Sequence, residues 1–231
     1  MKIVVINGQN HHGSTWKIGN ILVDKISGDN VIKEFFLPRD LNHFCCGCYS
    51  CVEARDKCPY WADKEPIMNA MLEAELLIFT SPNYCMMPSA PMKAFLDFFF
   101  TNWMIHKPYK EMFLKKAVVI SSTAGKGAKK TCSLIANNLT NWGIPKVMKY
   151  GIAVNAMNWE MVPEKKKAKI EKDMNKLARK ISRDKHVRIG IKTRLLFKFC
   201  ALMQKADWGA SKSEKQYWIE QGWLSGSKPW K

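Results

Sequence analysis

Short apolar runs alternate along most of this chain with longer stretches whose apolar positions return every three to four residues. The first run, "KIVVIN", closes on Gly8, as a strand buried on both faces does. The next stretch, "STWKIGNILVDKISG", puts Ile18, Ile21, Leu22 and Ile26 on one helical face, with Gly28 as its stop. "NVIKEFFL", "AELLIFTSPNY", "KKAVVISSTAG" and "KVMKYGIAV" read as four further strands. Helices are predicted near residues 64–74, in "MKAFLDFFFTNW", in "AKKTCSLIANNLTNWG" and in "PEKKKAKIEKDMNKLARKISR". In the last of these, Ile170, Met174, Leu177 and Ile181 form one stripe. Five β-α units of this kind predict an α/β fold, a three-layer α/β/α sandwich around a five-stranded parallel sheet. Residues 1–185 would form that domain, with a cysteine-rich insertion at 45–58, and residues 186–231 a helical C-terminal extension. Such sheets bind ligands outside the carboxyl ends of their strands, which draws attention to the loops at 8–15, 81–91 and 122–127.

The first of these loops, "GQNHHGST", has the Gly-x4-Gly outline of a phosphate loop. A nucleoside triphosphatase needs Lys at position 14, but Ser14 and Thr15 follow Gly13, and the Gly-x-Gly-x-x-Gly dinucleotide fingerprint is absent. Hydroxyls and backbone N–H groups at a helix N-terminus still suit a single phosphate. The plainer reading is that one hydroxyl simply caps the helix. In the second loop, Pro82 and Asn83 lead into Tyr84, which is positioned to stack on a planar ring; Cys85 reads either as a ring contact or as a small apolar residue. The third loop, "SSTAGKG", offers Thr123, Ala124, Gly125 and Gly127, small residues beside which a ligand can approach the backbone. One phosphate, one flat polar ring and three strand-end loops together point to flavin mononucleotide (FMN).

"INGQNHHGST", "FTSPNYCMMPSAPMKAFLD", "STAGKG" and the cysteine run "CCGCYSCVEARDKC" resemble the flavodoxin-like NAD(P)H-dependent FMN reductases, and within them the branch that includes iron–sulfur flavoproteins. The resemblance spans roughly the first two thirds of the chain. It implies a flavodoxin-like fold, FMN as cofactor and NAD(P)H as co-substrate. It also implies hydride transfer to the flavin, and on to a quinone, free flavin or other small acceptor. Gly8, Gly13 and Thr15 match the family's first loop, whereas Gln9, His11 and Ser14 stand where Ser, Arg and Asn are usual. Ser81, Pro82 and Tyr84 match the second loop, with Asn83 in place of a common Val, and Thr123, Ala124 and Gly125 match the third. No side chain need act as acid or base.

Cys45, Cys48, Cys51 and Cys58 read Cys-x2-Cys-x2-Cys-x6-Cys, with Pro59 after the last. Four thiolates at such spacing suit a [4Fe–4S] cluster or zinc. Zinc sites more often use two separated pairs or include His. Free thiols remain the third reading, and Cys46 has no assigned part. No signal peptide and no membrane-length apolar run is visible, which predicts a cytoplasmic protein with reduced thiols and disfavours structural disulfides.

The net charge of +17 is uneven: residues 163–231 hold 19 Lys/Arg against 7 Asp/Glu. In "VRIGIKTRLLFKFCALMQKADW", basic residues are interleaved with Leu195, Leu196, Phe199, Leu202 and Met203. That apolar face is expected to dock on the protein's own sheet or on a partner subunit, rather than on an anionic membrane. The aromatic run "FLDFFFTNWMI" suits either a subunit contact or core packing, and a homodimer or homotetramer is the expected assembly. Two other classes stay open: a non-enzymatic iron–sulfur flavoprotein electron carrier, and a zinc-bearing basic nucleic-acid binder, of which nucleic-acid binding is the less favoured.

Overall fold

In β1 (Lys2–Asn7), Ile3 to Ile6 are all buried, and their alternation assigns them to opposite faces of the sheet. Val4 and Ile6 join Leu77, Phe79 and Val119 in one core, while Ile3 and Val5 join Leu76, Ile78, Val118 and Ile120 in the other. The sheet is completed by β2 (Val31–Phe36), β3 (Leu76–Thr80), β6 (Lys116–Thr123) and β7 (Lys146–Ala153). Between β3 and β6 lies a small hairpin of β4 (Asn83–Tyr84) and β5 (Met87–Pro88). The computed structural model describes residues 1–183, 187–208 and 211–231.

The five long strands are parallel and ordered β2-β1-β3-β6-β7. The order reverses at β1, whose carboxyl end therefore opens beside that of β3. The register sets Asn7 opposite Thr80, and Thr80 opposite Ile120. Helices α1 (Ser14–Lys25) and α6 (Glu164–Arg183) cover one face, burying Ile18, Leu22, Ile170, Met174 and Ile181. Helices α3 (Trp61–Glu73), α4 (Ala90–Phe98) and α5 (Ala128–Asn141) cover the other. The chain thus forms the expected flavodoxin-like three-layer α/β/α sandwich. The short helix α2 (Ser50–Glu53) lies within the cysteine segment.

Of the aromatic run that begins within α4, Phe95, Phe98 and Phe99 are buried with Trp142 in the core of the second face. These rings form no subunit face. The expected single helix also ends early, at Phe98, and continues as a 3-10 turn over Phe100–Asn102.

The C-terminal region contains α7 (Ile191–Lys205) and α8 (Lys212–Glu220). The expected boundary between residues 185 and 186 lies outside the described residues. Phe197, Cys200, Trp218 and Trp223 form a third cluster with Met104 and Phe113. Trp218 Nε1 donates to the His106 carbonyl at 2.8 Å, and Tyr217 Oη to the Pro108 carbonyl at 2.5 Å. Here the sequence expectation is corrected. The face of α7 that docks carries Thr193, Phe197, Cys200 and Gln204; of the expected residues Leu196 packs against the same cluster and Met203 is half-buried, whereas Leu195, Phe199 and Leu202 point to solvent. Phe197 wins because it fills the gap between Phe113, Trp218 and Trp223, which Leu195 and Phe199 on the far side cannot reach.

Candidate functional site

A cavity of about 340 Å³ opens at the carboxyl ends of the sheet, within the range of cofactor pockets. Gln9, His11, Ser14, Thr15, Pro82, Asn83, Tyr84, Thr123 and Ala124 line it, so most of the site residues read from sequence meet in one place. Cys85, Gly125 and Gly127 do not line it. Cys85 sits at an exposed turn, while Gly125 and Gly127 face a neighbouring hollow around Lys126, Lys129 and Lys130. Gly13 lines it too, and Asn7, Trp16, Thr80, Ser122, Val154, Ala156 and Met157, which were not among the expected residues, complete the lining. Val154, Ala156 and Met157 follow the fifth strand of the sheet, so the strand-end rule itself was the signal for them.

Packing of the first loop fixes the cavity floor. The Gly8 amide donates to the Thr80 carbonyl at 2.7 Å, and the Ser89 hydroxyl donates to the Gly8 carbonyl at 2.6 Å. A Cβ at Gly8 would fall 2.8 Å from Ser89 Oγ and 2.9 Å from the Thr80 carbonyl oxygen, so only glycine fits. Ser89 also caps α4, accepting from the Met92 amide. α1 begins with Gly13 at its N-cap and no side-chain cap, which leaves its first amides facing the cavity mouth. Thr15 Oγ1 and Ser122 Oγ lie 2.5 Å apart, tying α1 to β6, so the Thr15 hydroxyl is already shared. Ser14 does not cap the helix: its buried Oγ has no protein partner. Asn7 accepts from Thr80 Oγ1 at 2.8 Å, yet its buried Nδ2 is likewise without a protein partner. Buried polar atoms of this kind cost about 1–3 kcal/mol each when unsatisfied, and both belong to the cavity lining.

The second loop is the β4–β5 hairpin. Its turn residues, Cys85 and Met86, both have positive φ, 49° and 66°. A two-residue turn of this hand usually takes Asn-Gly, so holding two L side chains there costs on the order of 1 kcal/mol each. Asn83 pins the strained hairpin. Its Nδ2 donates to the Lys126 carbonyl at 2.9 Å, and its Oδ1 accepts from Thr131 Oγ1 at 2.7 Å. Gly127 makes this approach possible: at φ +106°, a Cβ there would lie 2.7 Å from Asn83 Oδ1. Both polar atoms of the Asn83 side chain are thus bonded to protein. Tyr84 is half-exposed at the cavity edge.

The cysteine segment is separate. Cys45, Cys46, Cys48, Cys51 and Cys58 line one small cavity with Tyr60, Lys64, Phe98 and Phe100. Its free volume is only about 10 Å³, the room of a single water. Among the described residues no three His, Cys, Asp or Glu side chains are arranged to hold a metal ion. The four thiols thus share a wall but do not converge, and the donor set as folded does not fit a cluster. Burial raises the Cys51 thiol, offset in part by Lys64. The exposed Cys48 thiol is lowered, chiefly by hydrogen bonding to Ser50. Lys64 is buried, with Nζ 3.9 Å from Cys58 Sγ and over the rings of Phe98 and Phe99. The C-terminal region braces this segment. Ser213 Oγ and Lys107 Nζ both donate to the Glu53 carbonyl at 2.8 Å, and Arg55 stacks on Tyr109 with its carbon 3.8 Å from the ring centre. Three histidines outside the cavity, His12, His43 and His106, each have a neighbouring side chain. His106 Nδ1 lies 2.6 Å from Glu214, His43 Nε2 lies 3.0 Å from Asp63, and His12 stacks on Trp16.

Residues 1–158 match the sequence profile of NADPH-dependent FMN reductases. The chain belongs to that family. It is accordingly an oxidoreductase of the NAD(P)H-dependent FMN reductase class, and the reading as a non-enzymatic carrier falls away. No curated protein matches the chain in sequence. Among solved structures, an FMN-dependent NADH-azoreductase from Bacillus anthracis in complex with FMN is similar at 11% identity, with TM-score 0.58, covering 79% of this chain and all of that one. A flavoenzyme NAD(P)H:(acceptor) oxidoreductase from Paracoccus denitrificans is similar at 14% identity, with TM-score 0.54, covering 80% of this chain and 99% of that one. An NAD(P)H:quinone oxidoreductase from Methanothermobacter marburgensis is similar at 13% identity, with TM-score 0.55, covering 77% and 98%. At these identities the likeness is one of fold.

Proposed function

We propose that the cavity at the strand ends holds FMN, and that the protein passes hydride from a reduced nicotinamide, by way of this flavin, to a small acceptor such as a quinone or free flavin. The observation that carries the reading is the pair of buried polar atoms, Ser14 Oγ and Asn7 Nδ2, that line the cavity without protein partners. They are a donor set for a polar ligand, and Ser14 adjoins the uncapped amides of α1, where helix geometry favours an anion. Ser14 Oγ, the α1 amides and His11 would hold the phosphate. Tyr84 and the backbone of Thr123 and Ala124 would border the ring. FMN, when bound, supplies the two-electron chemistry of hydride acceptance and onward transfer. The chain's part is to fix the ligand's position, to exclude water from one face and to offer backbone N–H groups where negative charge develops.

A second reading makes Cys45, Cys48, Cys51 and Cys58 ligands of an iron–sulfur cluster. Their spacing, their common cavity and the buried Lys64 cation beside Cys58 favour it. The small volume requires the segment to rearrange on binding, and no electron path is derived through it. Iron and acid-labile sulfide in anaerobically purified protein test this second reading. For the first, the test is equilibrium titration with FMN. Quenching of flavin fluorescence with one FMN per chain supports it, and absence of binding overturns it.

A further inference from the structure

α7 presents two apolar faces, and only one is used. At 3.6 residues per turn, Thr193, Phe197, Cys200 and Gln204 fall on one side and are buried. Ile191, Leu195, Phe199 and Leu202 fall on the other and are 53% to 77% exposed. This stripe runs about 16 Å along the helix. Trp208, 66% exposed, stands just beyond its end.

The surroundings of the stripe are basic. Lys192, Arg194, Lys198 and Lys205 flank it, and α7 contains no Asp or Glu. Asp207, the acid nearest in sequence, is paired with Lys215 at 2.7 Å. Next to the stripe, and sharing Lys198, Leu202 and Lys205 with it, lies a hollow of about 280 Å³ that Trp223, Leu224 and Lys228 also line. An apolar ridge thus borders an apolar-floored hollow ringed by three lysines.

We infer that this face of α7 docks on an anionic phospholipid surface. The apolar stripe enters the headgroup boundary, the flanking lysines and arginine reach the lipid phosphates, and the hollow takes a headgroup. A second copy of the chain is a poor occupant, because a symmetric contact would set four basic residues against four identical ones. Among the described residues no helix is long and apolar enough to cross a membrane, so the contact would be peripheral.

The test is co-sedimentation of the full chain with vesicles of phosphatidylcholine alone and of phosphatidylcholine mixed with phosphatidylglycerol. The protein is expected to sediment with the anionic vesicles only, and less so as salt rises. Leu195→Ser with Phe199→Ser should weaken binding more than about tenfold, and Lys198→Gln and Lys205→Gln about fivefold each. All are surface changes, and an unchanged melting curve confirms folding. Three results would overturn the inference. One is no binding to anionic vesicles. Another is binding that depends on the lysines but is unaltered by the two serines. The third is self-association of the free protein that the two serines abolish, since a second copy would then be what covers the face.

Discussion

Thr131 Oγ1 donates to Asn83 Oδ1 at 2.7 Å, and this bond joins the hairpin at the cavity edge to the first turn of α5. Asn83 replaces the apolar residue usual in the family, and its amide also reaches the Lys126 carbonyl. Asn83→Val and Thr131→Val should each lower stability by about 1 kcal/mol and loosen FMN binding. The double variant should cost less than the sum of the two, because both remove the same bond. Chemical denaturation and FMN titration of the four proteins would check this; strict additivity would show that the bond does not hold the hairpin.

Ser14 Oγ is buried without a protein partner. Ser14→Ala should therefore leave the stability of FMN-free protein unchanged or slightly higher. It should weaken FMN binding about tenfold or more, as loss of a hydrogen bond to a charged group does. Riboflavin, which lacks the phosphate, should bind both proteins alike. A Ser14→Ala variant that loses riboflavin and FMN in the same proportion would move the phosphate elsewhere.

The cysteines should differ sharply in reactivity. Burial pushes Cys132 and Cys200 up to about 11, so they stay protonated at neutral pH. Cys48 is exposed and lowered by its bonds to Ser50. Brief alkylation near pH 7.5, mapped by mass spectrometry, should label Cys48 first among the residues 45–58 and leave Cys132 and Cys200 unlabelled in folded protein.

The central strands β1, β3 and β6 were legible in sequence because buried parallel strands are runs rich in Val, Ile and Leu, and the first loop because glycines bound it. The hairpin at Asn83 was not, because Cys85 and Met86 carry none of the usual chemistry of a left-handed turn. Nor was the orientation of α7. Leu195 with Phe199, and Phe197 with Cys200, make two apolar stripes, and periodicity alone does not choose between them. Only the gap among Phe113, Trp218 and Trp223 decides. Ser14 was read from sequence as a phosphate contact or a helix cap; it lines the cavity without capping the helix, and its missing partner is visible only when the helix start is seen in three dimensions.

Glu214 links α8 to His106 and is buried. Burial alone would raise its carboxyl, but the bonds from His106 and the Ser211 amide outweigh this and bring it below the ordinary value of 4.5. A lowered carboxyl contributes stability that is fully present above that ordinary value and is lost as pH falls through the folded one. Docking of the C-terminal helices should therefore weaken below about pH 4.5. Glu214→Gln should reduce stability by about 2 kcal/mol at neutral pH and flatten that acid dependence, as followed by thermal melts across pH.

The central claim is that this cavity holds a flavin which reduced nicotinamide can reach. Rapid anaerobic mixing of the FMN-loaded protein with NADPH, and separately with NADH, measures it directly. The account predicts bleaching of the flavin band near 450 nm, to an extent that matches one hydride per chain, at a rate of about 1 s⁻¹ or faster. A loaded flavin that neither nucleotide reduces on that timescale, in protein that binds FMN one to one, would contradict it.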